Sequence, residues 1–412
     1  MKQNISKIRN SVKIYPLFYA FSADLILFVP INTLYFTLEK GLNASQISAI
    51  TMIGALICIL SQKITLILIK KIGNANSIKL GSIMLFMSLI VLTFGKSFFA
   101  MMIYKAIFEL SIMFLNMSSI LLRNNLIYTN KEDKYYDLRN KANIMYGILT
   151  MITALISGYL FNINHYIPMY ISILIYFIVF LASFTFCEAK IENTTTELEK
   201  NKKNTNKYIK ITSIVLLIIL SSTVFNSMIK LGQDNSKLFI QYDLQKLLTA
   251  EMVTYYITTI VFISRIFRIL GNMFFGKLYL KIKDKMSMVL TYLACIAFFL
   301  LIIGHYIEFN FMIKVITMSL GFFIILAIRD SFQVYIEDTA LRITKEEEQQ
   351  KILIDIEVYR KLGQLILSIV FTLILLKFEL IVVQFVLLIL SVFEIIINKK
   401  MCNKLKNIEK SN

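Results

Sequence analysis

Tryptophan is absent from this 412-residue sequence, and proline occurs three times, at Pro16, Pro30 and Pro168. With so little proline, bends in any long helix must come mainly from glycine or inserted polar groups. The four cysteines (Cys58, Cys187, Cys295, Cys402) are widely spaced, so they form neither a CxxC pair nor a disulfide framework. His165 and His305 fall in separate connections, which leaves no zinc site. No GxxxxGK[ST] segment occurs, so an ATP-driven pump would need a separate subunit. No cofactor is expected.

What the chain has is apolar length. It is 57% hydrophobic, with a mean hydropathy of +0.68, yet carries a net charge of +18. A soluble protein with that charge would be a candidate for nucleic acid. Here the charge lies between about twelve apolar segments of roughly 18 to 25 residues, each long enough to cross a bilayer as a helix. The segments fall at about 13–37, 46–69, 76–95, 97–122, 140–162, 166–187, 208–230, 250–275, 286–304, 310–332, 352–376 and 378–397. The first is too long for a signal-peptide core and lacks a small-residue cleavage site, so it is expected to stay as a helix. About thirty Lys and Arg fall in the N-terminus, the tail and every second connection, against about six in the others. That asymmetry puts both termini in the cytoplasm and argues for lipid rather than nucleic acid as the surrounding partner. Composition rich in Ile, Lys and Asn, with short loops, suggests a multi-pass protein of a bacterial cytoplasmic membrane, expected to be monomeric.

The polar stretch 188–207, EAKIENTTTELEKNKKNTNK, cannot bury apolar surface and reads as a cytoplasmic linker. It divides the chain into a six-helix bundle over 1–187 and a second over 208–412 that ends in a basic tail. Two halves with both termini inside match a parallel-repeat transporter architecture. The repeat has local support: LILIKKIGNANSIKLGSIM (66–84) and GNMFFGKLYLKIKDKMSMVL (271–290) each place a short basic turn after an apolar helix. In EKGLNASQISAI (39–50), Gly41 serves as a helix terminator and Ser45 as the candidate N-cap of the next helix.

At these segments the chain resembles the major facilitator superfamily, whose 2–3 and 8–9 connections carry roughly G-x-L-a-D-R-x-G-R-[KR]. Gly73 and Gly81 match, with Lys71 where the family has its first Arg and Lys70 at the acidic position. In the second copy Gly276, Leu278 and Lys281 match, and the acidic position is Leu280. GLNASQISAI, Pro30 and Lys105 also look like this family. The resemblance covers the whole chain in architecture and about thirty residues in motif. It implies an all-α membrane protein of twelve helices working by alternating access, with Gly73, Lys71, Gly276 and Lys281 in gating loops. It also implies that helices 1, 2, 4, 5, 7, 8, 10 and 11 line a central cavity. The family's acidic residue, which helps hold the two halves together, is missing from both copies. MYGILTMITALISGYLF has Gly147 and Gly158 but lacks the proline and paired glycines of an antiporter helix 5, so drug/proton antiport has little support.

A charge inside a spanning helix costs at least about 2.5–3.5 kcal/mol, so it normally faces a cavity or a partner. Such positions are Asp24, Lys63, Lys105, Glu109, Arg265, Arg268, Glu357, Arg360 and Lys361, while Lys314 and Glu394 are close enough to helix ends to snorkel. Lys105 and Glu109 share a helix face and either neutralise each other or exchange partners during transport. Asp24 is a mid-helix carboxylate with no cation nearby in sequence: a proton carrier, or a structural acid paired with Lys63 or Lys105. Arg265 and Arg268 share a face with no acid within a turn, and either grip an anion or serve as gating or lipid contacts. Asn226 adds uncharged polarity on helix 7.

These features point to a secondary transporter for a small anionic or zwitterionic molecule, with Asp24, Glu109 and Lys105 in coupling and Arg265, Arg268, Lys63 and Asn226 in binding. Proton coupling and export are the default expectations. A flippase for lipid or lipid-linked glycan is the alternative; a membrane-embedded enzyme would need clustered His, Asp and Glu that the sequence lacks.

Overall fold

The computed structural model describes residues 2–131, 134–189, 213–343 and 346–411. Among them the regular structure is entirely helical: α1 (Lys2–Ser22), α2 (Phe28–Leu34), α3 (Ala44–Ile72), α4 (Asn74–Phe94), α5 (Phe98–Leu115), α6 (Met117–Tyr128), α7 (Tyr135–Ile163), α8 (Ile167–Ser183), α9 (Ser213–Gln245), α10 (Ala250–Ile282), α11 (Met286–Tyr306), α12 (Phe311–Ile343), α13 (Glu346–Leu375) and α14 (Leu380–Ser411). Among the described residues ten helices are long and apolar enough to cross a membrane, with α5 and α6 together as Phe98–Tyr128, and α8 is a shorter apolar helix. Helices suit lipid because each backbone N–H and C=O is satisfied within its own segment. Of the stretch 188–207, only Glu188 and Ala189 lie among the described residues.

Several helices outrun the apolar windows read from sequence. α9 has 33 residues, about 50 Å at 1.5 Å per residue, and ends at Gln245 rather than near 230. Hydropathy falls where charges begin, but hydrogen bonding along a helix does not stop there.

The first apolar segment is two helices, not one. α1 ends at Ser22, and the chain is non-helical until α2 begins at Phe28. Pro30 is the third residue of α2, within the first turn, where a missing N–H breaks no internal bond; it starts a helix instead of kinking one. α2 continues into a π-helical turn, Tyr35–Glu39, and Gly41 (φ +63°) then turns the chain. The N-cap of α3 is Asn43: its Oδ1 accepts from Gln46 N at 2.9 Å, and Gln46 Oε1 accepts from Asn43 N at 3.0 Å. This reciprocal box displaces Ser45, whose hydroxyl donates to Thr372 O at 3.3 Å instead.

The chain separates into two compact units: residues 1–35 with 56–208, and residues 36–55 with 209–412. In the first, α4 packs so closely on α5 that a Cβ at Gly81 would lie 2.9 Å from Ser111 O. In the second, a Cβ at Gly271 of α10 would lie 2.5 Å from Ala327 O of α12. Small residues let helix backbones meet where lipid supplies little hydrophobic drive. The second unit also holds the start of α3, where Thr372 Oγ1 donates to Ser48 Oγ at 3.1 Å, and the π-helical turn before it, where Gln241 Nε2 donates to Thr37 Oγ1 at 2.6 Å.

Candidate transport site

In the second unit the polar residues gather on one stripe of α9. Asn226, Lys230, Gln233, Asp234, Lys237 and Gln241 recur at helical spacing, so they share a face. Lys230 Nζ donates to Gln364 Oε1 of α13 at 3.3 Å, and Arg329 Nη1 of α12 donates to Gln233 Oε1 at 2.7 Å. Lys237 is 6% exposed and within electrostatic reach of Asp234 and Arg265. Arg265, on α10, is buried. α9 carries both Lys230 and Lys237 within its helix, past the expected end of that segment near 230. The clue was present: the polar residues keep the 3.6-residue period beyond position 230. Asn226 turns back on its own helix, donating to Ser222 O at 2.9 Å.

Arg268 does have an acid, supplied by another helix. Its Nε donates to Asp330 Oδ2 at 2.6 Å and its Nη2 to Asp330 Oδ1 at 3.2 Å, while Asn272 Nδ2 reaches Oδ2 at 3.2 Å. Sequence spacing alone could not place α12 opposite α10. Arg360 is similarly tied: its Nε donates to Ser222 Oγ at 2.8 Å, and its Nη1 lies 3.4 Å from both Glu337 and Glu357.

Neither residue expected to snorkel does so. α14 runs on to Ser411, so Glu394 sits mid-helix and fully buried. Its Oε1 accepts from Ser221 Oγ at 2.5 Å and Asn398 Nδ2 at 2.8 Å, and Asn398 Nδ2 also reaches Thr291 Oγ1 at 3.0 Å. Lys314 Nζ is 3.0 Å from Asp243 Oδ2, which also lies 3.0 Å from His305 Nδ1. A carboxylate within reach removes the need to extend toward the surface.

In the first unit, Lys105 Nζ and Glu109 Oε1 are 2.6 Å apart, and Cys58 Sγ donates to Glu109 Oε2 at 3.2 Å. Asp24 is not mid-helix: it lies in the break between α1 and α2. Its Oδ1 accepts from Leu25 N at 2.9 Å, and it is within electrostatic reach of Lys105 and Tyr104. Tyr176 of α8 spans the break, donating to Asp24 O while its hydroxyl accepts from Ile26 N at 3.0 Å. Lys63 is exposed on α3 and makes no contact with Asp24 or Glu109 among the described residues. A cluster missed from sequence joins α1 and α7: Arg139 Nη1 donates to Tyr15 OH at 2.8 Å, with its guanidinium 4.2 Å from the centre of the Tyr19 ring.

A broken helix holding a carboxylate, and a second unit with the buried cations Lys237 and Arg265, are features of a membrane carrier. Residues 11–241 match the model of the MFS_1 like family. The chain belongs to that family. Among solved structures, the nucleoside transporter NupG aligns at TM-score 0.68 with 13% identity, over 97% of this chain and 99% of its own. A D-xylose-proton symporter aligns at TM-score 0.71 with 12% identity, over 97% and 98%. A bacterial homologue of the iron transporter ferroportin, in an inward-facing state, aligns at 0.70 with 12% identity, over 96% and 98%. No curated protein sequence matches. At such identities the structural likeness establishes the fold. This MFS_1 like protein is thus a multi-pass membrane transport protein of major facilitator type, a class of transporters and not enzymes.

The two basic turns of this MFS_1 like chain, after α3 and α10, acquire acids from elsewhere. Gly73 (φ +81°) precedes α4, whose Asn74 N donates to Glu188 Oε2 at 2.9 Å, with Asn74 Nδ2 on Oε1 at 2.5 Å. Glu188 thus places negative charge at the N-terminal end of α4, where the helix dipole favours it. In the second unit Tyr279 OH donates to Asp338 Oδ2, and Arg342 Nε lies 3.1 Å from the same oxygen. Lys71 and Lys281 are exposed, and Gly276 faces open space.

Proposed function

We propose that this protein is a secondary active transporter that moves a small anionic or zwitterionic solute by alternating access, coupled to protons, with export favoured. The carrying observation is the α9 stripe, where Lys230 and Lys237 lie on one face, with Lys237 in electrostatic reach of Arg265. Lys237 and Arg265 are buried, and desolvated cations cost free energy that an anionic ligand offsets. Arg268 is better assigned to its bond with Asp330, so Arg265, Lys230 and Lys237 are the ligand-facing set. Asp24 at the helix break and the Lys105–Glu109 pair are the coupling candidates. A discontinuous helix exposes backbone groups that an ion or proton site can use.

The proposal includes twelve spans as two six-helix halves, taking α1 with α2 as the first and α5 with α6 as the fourth. The halves cover 1–187 and 208–412, joined by a cytoplasmic linker at 188–207. It also includes both termini in the cytoplasm of a bacterial cell and a monomeric state. A thermal-shift screen of purified protein against small carboxylates, phosphates, amines and neutral sugars tests the substrate class, because a ligand that binds the native state raises its melting temperature. Stabilisation confined to anions or zwitterions supports the reading; stabilisation confined to amines or neutral sugars contradicts it.

A further inference from the structure

An apolar groove of about 270 Å³ runs along the first unit between α1 and α8. Ile14, Leu17 and Phe21 form one wall, and Ile175, Ile178 and Ala182 the other. Both sets recur at helical spacing, so each wall is a continuous helix face. The groove is open to its surroundings, since Leu17 is 49% and Ile178 56% exposed. Its floor is secured at one end, where Ser11 Oγ donates to Thr185 O at 3.0 Å and accepts from Cys187 N at 2.9 Å.

Beyond that end of the groove, α1 becomes basic. Arg9, Lys13, Leu17 and Phe21 lie four residues apart along one ridge, two cations followed by two apolar side chains. Arg9 and Lys13 are both exposed. Charge then apolar length, over about 18 Å of helix for twelve residues, is the order found in a phospholipid: a phosphate, then an acyl chain. The basic N-terminus of α1 is also where the charge asymmetry puts anionic headgroups.

We propose that this groove is a binding site for an anionic glycerophospholipid, with its phosphate at Arg9 and Lys13 and one acyl chain along Leu17, Phe21 and Ile178. The site lies wholly within the first unit and is independent of which solute is transported.

Native mass spectrometry of the purified protein, offered phosphatidylglycerol and phosphatidylcholine at equal concentration, tests it. Wild type should retain phosphatidylglycerol preferentially, and Arg9→Gln and Lys13→Gln should each weaken that retention by roughly fivefold. Leu17→Trp, at an exposed position that tolerates bulk, should reduce retention of both lipids by filling the groove. Equal retention of the two lipids by wild type overturns the proposal. So does a preference that survives the double Gln variant, or retention unaffected by Leu17→Trp. A lipid-free mass of twice the monomer, lost in Leu17→Trp, would assign the groove to a second copy of the chain and overturn it too.

Discussion

Arg268 of α10 and Asp330 of α12 form a two-point contact, with Nε to Oδ2 at 2.6 Å and Nη2 to Oδ1 at 3.2 Å. The guanidinium fork matches the carboxylate, so the pair fixes orientation as well as distance between two helices already in close contact at Gly271 and Ala327. A lysine could not reproduce it.

Removing both partners should therefore cost less than the two single removals added together. Arg268→Gln and Asp330→Asn should each destabilise the protein by about 1–3 kcal/mol, because the remaining partner is left without its charge-assisted bonds. The double variant should lose less than the sum. Thermal unfolding in detergent, run as a double-mutant cycle, measures this; strict additivity would contradict the pairing.

Glu394 makes a different junction. Its carboxyl is fully buried and held by Ser221 of α9 and Asn398 of its own helix, which in turn reaches Thr291 of α11. Glu394→Gln, nearly isosteric, should be tolerated, with Glu394→Ala costing about 1–3 kcal/mol through a cavity and unsatisfied neighbours. Melting temperatures of the two variants check this. Equal loss in both would mean that charge, not the hydrogen-bonded junction, is what the site needs.

Helices and their alternation with basic turns were legible in the sequence because both follow from hydropathy and charge, which are local. The ends of α9 and α14 were not, since a charge ends an apolar window without ending a helix. Glu394, expected near a helix end, lies mid-helix for that reason. Arg268 looked unneutralised because Asp330 is 62 residues away and only the packing of α10 on α12 brings it near. Asp24 reads from sequence as mid-helix, whereas its setting in a helix break depends on Tyr176, 152 residues further on. Glu188, which caps α4, stood in a segment read as linker.

Asp24 is the proposed proton carrier, and its position in the break separates its role from folding. Asp24→Asn should abolish solute accumulation driven by a pH gradient in proteoliposomes while solute exchange continues. Tyr176→Phe removes the hydroxyl that holds the break and should slow both processes. Undiminished accumulation in Asp24→Asn would shift coupling to Glu109 or to another ion.

The central claim is that the buried cations of the second unit bind an anionic solute, and affinity measured on Arg265→Gln tests it most directly. Isothermal titration of wild type and variant should use an anionic ligand identified by thermal stabilisation. The account predicts a loss of about 1.5–3 kcal/mol in binding, the strength of a hydrogen bond to a charged group. Arg265→Lys should restore part of it, since lysine keeps the charge but lacks the fork. Equal affinities for wild type and Arg265→Gln, with transport slowed, would make Arg265 a gating residue and contradict the anion site.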